Sequence, residues 1–277
     1  KLKLIIAEKG IDILFIDSKN KSLVDEIINF CDNNGIRIKL LLSFSDLAGK
    51  RIGLEQIASL PFIDIRNEPL LYLHNRIIKR VLDIAISTLS ILFVLTWLPI
   101  IVKVMQLLTY PGPLFFTQER IGLNGKKFKL YKFRTMFNSS ESTIASKGKS
   151  KITKELDERV SKFGKFLRKS NLDEYPQFIN VFLGSMSSVG PRPHMVREDE
   201  VLENKIINYR IRRFIKPGIT GWAAINGFRG GTNDINLMQS RTNYDIWYLE
   251  NWSIWVDIKI IIITVWQMIT FRIPKAY

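Results

Sequence analysis

The sequence predicts an α/β chain in three parts: an N-terminal strand–helix alternation, a broken apolar helix, and a basic remainder mixing helices and strands. Three observations carry this. Residues 1–75 alternate buried-strand and amphipathic-helix patterns, Ile84–Val102 runs nineteen residues without a formal charge, and the basic side chains gather after that run. A length of 277 residues suits one large domain or two modest ones. With 46% apolar residues, the chain is too hydrophobic for a disordered basic tail. A single cysteine, Cys31, excludes an intramolecular disulfide framework, and two histidines, His74 and His194, are too few for a His-rich zinc centre. The chain opens on Lys1 rather than methionine, as a fragment or processed form would.

In the first part, Ile11–Asp17 (IDILFID) reads as a buried strand and Ser22–Asn34 as an amphipathic helix with Ser22 as its N-cap. Ile36–Leu42 follows Gly35 as a second strand, and Phe62–Ile65 is a candidate third. Two or three parallel strands do not cover both faces of a doubly wound sheet. Residues 1–75 therefore read as the C-terminal part of a Rossmann-like domain that begins upstream of Lys1. No GxGxxG is present, so nothing supports a dinucleotide there. Cys31 reads as a small buried hydrophobe, and His74 as a linker residue without chemistry.

The uncharged run Ile84–Val102 has the length of a membrane-spanning helix, but Pro99 sits inside it and basic residues flank both ends: Arg76, Lys79 and Arg80 before, Lys103 after. The positive-inside rule gives a spanning helix one basic end, whereas here both ends ask for the same side. A helix–break–helix dipping into one leaflet satisfies both; a spanning helix with a mild proline kink fits the segment as well. Tyr110-Pro111-Gly112-Pro113 ends the segment. Ile258–Phe271, with Trp247, Trp252, Trp255 and Trp266 nearby, suits a helix at headgroup level or, equally, a buried core helix.

Of the net charge of +15, residues 120–170 hold +11, with 15 basic and 4 acidic side chains. A patch of that density attracts phosphate, whether in nucleic acid, lipid headgroup or nucleotide. Residues 138–153 are polar and Ser/Lys-rich, a loop or insertion.

Chemistry concentrates in Leu167–Asn180 (LRKSNLDEYPQFIN). Asp173 and Glu174 are adjacent at the start of a helix that Pro176 opens, with Arg168 and Lys169 just upstream. Neighbouring carboxylates serve a helix dipole, but they also hold Mg²⁺ beside phosphates, and an Asp there can attack phosphorus. In Ser187–Pro193, Gly190 lets backbone approach a ligand, while Arg192 offers a planar fork for phosphate. Lys129–Met136 alternates as a strand with Lys132 and Arg134 on one face. His194 reads as a loop histidine, capping or facing solvent.

Taken together, these pieces resemble the bacterial sugar transferases, monotopic polyprenyl-phosphate glycosyl-1-phosphate transferases. The matching motifs are Lys79-Arg80-x-x-Asp83, Gly112-Pro113, Gln118-x-Arg120-x-Gly122, Lys132-Phe133-Arg134-Thr135-Met136 and Leu172-Asp173-Glu174-x-Pro176-Gln177. Val189-Gly190-Pro191-Arg192-Pro193 and Pro217-Gly218-Ile219-Thr220-Gly221-Trp222 follow in the family's order. The resemblance implies the parts: 1–75 the Rossmann-like remnant, 76–109 a re-entrant membrane helix broken at Pro99, and 110–277 a mainly helical α+β catalytic domain. It also implies transfer of a sugar 1-phosphate from a UDP-sugar to undecaprenyl phosphate, releasing UMP, as a first membrane step of exopolysaccharide or capsule synthesis. Asp173 would be the nucleophile carrying a phospho-sugar, with Asp173 and Glu174 near Mg²⁺. Lys132, Arg134, Arg168, Arg192 and Pro193 would bind substrate, and Lys79, Arg80, Asp83 and Pro99 would serve the membrane helix.

The resemblance is nearest to undecaprenyl-phosphate glucose phosphotransferases, through Pro191–His194, Ile225–Gly230 and the Ala276-Tyr277 ending, which makes UDP-glucose the expected donor. It places the chain on the cytoplasmic face of a bacterial inner membrane, with self-association left open. The chain departs from the family at Ala224, where Gln is frequent, and at Ser185, where Asp is. A membrane-tethered nucleic-acid- or anionic-lipid-binding protein is the rival reading. Against its nucleic-acid form, no recognition helix or aromatic–basic interleaving is present. A silent scaffold of the same fold is a third.

Overall fold

The computed structural model describes residues 11–17, 21–41, 55–57, 60–137, 160–229 and 234–270. The expected loop 138–153, Phe271 and the Ala276-Tyr277 ending lie outside them.

Strand β1 (Ile13–Asp17), helix α1 (Lys21–Asn34) and strand β2 (Arg37–Leu41) form the expected parallel unit. Ser22 lies inside the helix rather than capping it. The sheet is completed by β3 (Glu55–Ile57) and β4 (Leu60–Asp64), both paired antiparallel, in the order β1-β2-β4-β3. The third strand thus returns antiparallel to β2, which corrects the parallel arrangement expected. Ile16, Val24, Cys31, Ile36 and Ile38 form the unit's core. It docks on the segment Tyr209–Phe214: the Asn208 amide donates to Asn33 Oδ1 at 3.0 Å, and the Arg37 guanidinium lies 4.1 Å over the Phe214 ring.

Helix α2 (Leu73–Phe93) is inverted relative to a soluble helix. Its buried residues are polar (Lys79, Asp83 and Ser87, at i, i+4 and i+8), while Leu73, Val81, Leu89, Leu92 and Phe93 face outward. Lys79 Nζ donates to Asp257 Oδ2 at 2.7 Å, the Tyr248 hydroxyl at 2.9 Å and the Val189 carbonyl at 3.1 Å. Asp83 Oδ1 accepts from Ser187 Oγ and the Ser188 amide, and Arg80 donates to the carbonyls of Val181 and Phe182 at the end of a later helix. The polar stripe is thus the glue, and the apolar surface is left facing out.

The helix breaks over 94–97, and α3 (Leu98–Thr109) leaves at a 53° bend. Pro99 sits in the first turn of α3 instead of at the break. There its missing N–H costs no pairing, whereas in a continuous helix its ring would collide with the carbonyl four residues back, at Leu95. No single helix among the described residues is long and apolar enough to cross a membrane; the bent pair meets that length and composition together.

Beyond α3, β5 (Phe115–Ile121) and β6 (Lys127–Phe133) form a hairpin. Helices α4 (Lys162–Lys169), α5 (Gln177–Leu183) and α6 (Val196–Glu203) follow, with β7 (Ser187–Val189) pairing parallel to β8 (Gly218–Thr220). After the short α7 (Trp222–Ile225), α8 (Ile235–Glu250) and α9 (Ile254–Ile269) close the core around Val189, Ile211, Tyr248, Leu249 and Ile260. α9 buries Asp257 and Ile260 but leaves Trp255 75% and Trp266 64% exposed. It is therefore neither fully buried nor an ordinary amphipathic helix.

Gly190 has a different use from the one expected. A Cβ there would stand 2.4 Å from the Lys216 carbonyl oxygen, and one on Gly221 would stand 2.4 Å from the Gly190 carbonyl oxygen. These glycines let two loops touch backbone to backbone, so the close approach is to the protein itself.

Candidate active site

Asp173 and Glu174 lie in a 3-10 turn, Leu172–Glu174, just ahead of α5, and Pro176 occupies the N-cap position of α5 instead of its first turn. Asn171, left-handed at φ 57°, turns the chain out of the region that follows α4. Both carboxylates are thereby carried inward and buried.

Their surroundings differ. Glu174 Oε1 accepts from Lys132 Nζ at 2.6 Å and Arg192 Nη2 at 3.0 Å, and Oε2 lies 3.4 Å from Arg192 Nη1. Burial alone would raise its pKa, but the charges and hydrogen bonds of Arg192 and Lys132 hold it well below the usual carboxylate range. Asp173 makes no hydrogen bond to any described residue. Burial first, then the Glu174 charge, pushes it up to about 6, against the opposing pull of Lys132, Arg168 and Arg192. Two adjacent carboxylates are thus driven apart: one a fixed anion inside an ion-pair clamp, the other close to titrating at neutral pH.

The expected residues divide accordingly. Lys132, Arg168 and Arg192 all act on the dyad; Arg168, in the last turn of α4, also donates through Nε to Thr135 Oγ1 at 2.8 Å. Arg134 does not share the Lys132 face, because β6 ends at Phe133. Its guanidinium donates to the carbonyls of Pro113, Met136 and Tyr110, stitching the end of α3 to the hairpin. The Pro193 carbonyl accepts from Arg120 Nη1 at 3.3 Å. Lys79, Arg80 and Asp83 bind α2 to the domain, as described above.

His194 is buried, which overturns the solvent-facing position among those expected. Its Nδ1 lies 2.5 Å from the Tyr209 hydroxyl and 3.0 Å from Arg212 Nη1; burial and the Arg212 charge hold it well below the usual imidazole range, so it is neutral. Arg212 also binds Asp245 Oδ2 at 2.8 and 3.1 Å and donates to the Arg192 carbonyl at 2.8 Å. The backbone that presents Arg192 is therefore held from behind. Sequence reasoning missed Arg212 and Asp245, together with Arg229 and Arg241, which line a cleft beside the dyad with Arg192 and Ala224. The Arg241–Asp245 spacing of four on one helix was the available signal for part of this set; the rest come from separate segments.

A family model described as bacterial sugar transferase matches residues 74–271. The chain is 42% identical over 214 residues to the UDP-glucose:undecaprenyl-phosphate glucose-1-phosphate transferase of Escherichia coli K12, covering 77% of this chain and 45% of that one. It is 38% identical to the protein of the same name from Xanthomonas campestris, covering 87% and 49%. It is 35% identical to the UDP-N-acetylgalactosamine-undecaprenyl-phosphate N-acetylgalactosaminephosphotransferase of Aeromonas hydrophila, covering 70% and 44%. The chain thus spans about half the length of the curated relatives it matches.

Proposed function

Because the chain belongs to the bacterial sugar transferase family, we propose that it moves a sugar 1-phosphate, with glucose as the expected sugar, from a UDP-sugar to undecaprenyl phosphate. The observation that carries this is the asymmetry of the dyad: Asp173 is buried without a hydrogen bond to any described residue, beside a Glu174 already neutralised by Lys132 and Arg192. A carboxylate held near cations but not bonded to them keeps lone pairs for attack.

In this reading an Asp173 oxygen bonds to the sugar-bearing β-phosphorus. The bond from that phosphorus to the bridging oxygen breaks, its electron pair leaves with that oxygen, and UMP departs. An oxygen of undecaprenyl phosphate then attacks the same phosphorus and returns Asp173 as a carboxylate. Lys132, Arg168 and Arg192 offset the charge of the phosphoryl oxygens. The residues fit Mg²⁺: Asp173 has uncommitted oxygens, Glu174 stands beside it, and Mg²⁺ normally takes one or two carboxylates with waters and substrate phosphates. No group of three or more His, Cys, Asp or Glu suited to a metal occurs among the described residues. Asp173 and Glu174 would hold the ion, which would supply charge neutralisation for the diphosphate.

The outward apolar faces of α2 and α9 and the 53° bend support a re-entrant pair entering one leaflet at the cytoplasmic face of the inner membrane. The lipid phosphate then meets the dyad at headgroup depth while its prenyl chain stays in the bilayer. The test is UMP release from a panel of UDP-sugars with undecaprenyl phosphate and Mg²⁺, with intact-protein mass showing a phospho-sugar adduct when the lipid is withheld. No turnover of any UDP-sugar would overturn the reading.

The pH dependence follows from the sign of the Asp173 shift. Only the carboxylate attacks, so kcat/KM should fall about tenfold per unit on the acid side of the Asp173 titration, a limb that burial and the Glu174 charge raise and that bound Mg²⁺ would lower. The Lys132 charge favours the carboxylate, so Lys132→Met should move that limb to higher pH. An unmoved limb in this variant would exclude Asp173 as the group titrating.

A further inference from the structure

Arg212 has no role in the reaction as read above and makes no hydrogen bond to either carboxylate of the dyad. It is nevertheless buried, with its guanidinium committed to three separate partners around the Arg192 loop. Nε and Nη2 donate to Asp245 Oδ2 at 3.1 and 2.8 Å, so the buried cation meets its counter-charge on α8. Nη2 also donates to the Arg192 carbonyl at 2.8 Å, and Nη1 lies 3.0 Å from His194 Nδ1. Arginine nitrogens only donate, so the neutral imidazole accepts. One planar fork thus grips Arg192-Pro193-His194 at both ends, by the main chain of the first residue and the ring of the third. Pro193 between them has a fixed φ and no amide to rearrange, and its carbonyl accepts from Arg120 Nη1 at 3.3 Å. In front of this grip, Arg192 Nη2 reaches Glu174 Oε1 at 3.0 Å.

The turn that carries Arg212 is braced from its other side. Tyr209–Phe214 is the seat of the N-terminal unit, through the Asn208 amide on Asn33 and Arg37 over the Phe214 ring, and Ile211 is wholly buried in the core. We propose that Arg212, with Asp245 as its fixed counter-charge, is a positioning residue for the phosphoryl transfer. It holds the Arg192 backbone so that the Arg192 side chain meets Glu174 and the phosphoryl oxygens at a set distance. The assignment rests on the reaction read above. A long side chain delivers its charge to one place only if its own backbone stays still, and a displacement of about 1 Å at such a group can cost about 10²-fold in rate. An ion pair that served stability alone would need Asp245 and nothing more, whereas the bonds to the Arg192 carbonyl and to His194 are directed at the loop. A lysine at 212 could still pair with Asp245, but its single nitrogen cannot span the three acceptors as the fork does.

The experiment combines turnover with UDP-glucose and amide exchange, on the full chain in detergent, for wild type, Arg212→Lys, Arg192→Lys and the double variant. Per folded protein, Arg212→Lys should lower kcat about 10- to 100-fold, with the KM for undecaprenyl phosphate within about twofold of wild type. In the Arg192→Lys background the same change should cost less than about threefold, because a residue acting through Arg192 has nothing left to position. Exchange in the loop Val189–Met195 should speed about tenfold or more in Arg212→Lys, while exchange in α5 stays as in wild type. If Arg212→Lys folds poorly, Arg212→Met/Asp245→Leu replaces the pair with packed apolar groups and carries the same readouts. Wild-type kcat, unchanged loop exchange, or losses that multiply in full in the double variant each overturn the positioning role and leave the reaction in place. A wild type that turns over no UDP-sugar overturns the reaction itself, a result distinct from an inert Arg212.

Discussion

Asp173→Asn is expected to abolish UMP release, lowering kcat by about 10⁴-fold or more, the scale seen when a covalent nucleophile is removed. The amide keeps the shape of the carboxylate but is a far weaker nucleophile, so no phospho-sugar should accumulate on the protein. The same change should not destabilise the fold. Asp173 is buried, makes no hydrogen bond to a described residue, and is pushed up to about 6 by burial and by Glu174. Its charge is therefore a cost to the folded state, and the neutral amide removes that cost. Loss of turnover with an unchanged or higher Tm is the expected pair of results. Retained UMP release would refute the nucleophile assignment, and a large drop in Tm would make Asp173 a structural residue.

Lys79→Met is expected to have the opposite profile, costing about 3–5 kcal/mol of stability, because removing one partner of a buried pair strands the other charge. Asp257 is 1% exposed, and without Lys79 its carboxylate would keep, among the described residues, the Tyr248 hydroxyl at 2.5 Å and Trp252 Nε1 at 3.2 Å. The loss should also loosen α2, because Lys79 supplies its bonds to Val189 and Tyr248. Denaturant unfolding in detergent measures it. The double variant Lys79→Met/Asp257→Leu should recover most of the loss, since a packed apolar pair needs no partner charge. A single variant within about 1 kcal/mol of wild type would show that the pair does not hold the helix.

Legibility varied with the range of the interaction. The parallel β1–α1–β2 unit could be read because its periodicities are local. The antiparallel return of β4 could not, since a short apolar run carries no direction. Pro99 marked a broken helix, but the break lies upstream over 94–97, because a proline disturbs the turn before it more than its own position. Lys132 and Arg134 looked equivalent by alternation, yet β6 stops between them, at Phe133.

By itself the sequence determined the inventory: an Asp-Glu dyad, a basic stretch, a broken apolar segment, and motifs in an order that identifies the family. These are properties of neighbours along the chain, and covalent spacing sets them. Only the tertiary structure decided which carboxylate is clamped by cations and which has no hydrogen bond to a described residue, since Lys132 and Arg192 reach Glu174 from 42 and 18 residues away. It likewise decided that Lys79 faces inward from an apolar helix and that Arg229 and Arg241 share one cleft. Burial and charge pairing depend on distance through space, and no local pattern encodes that distance.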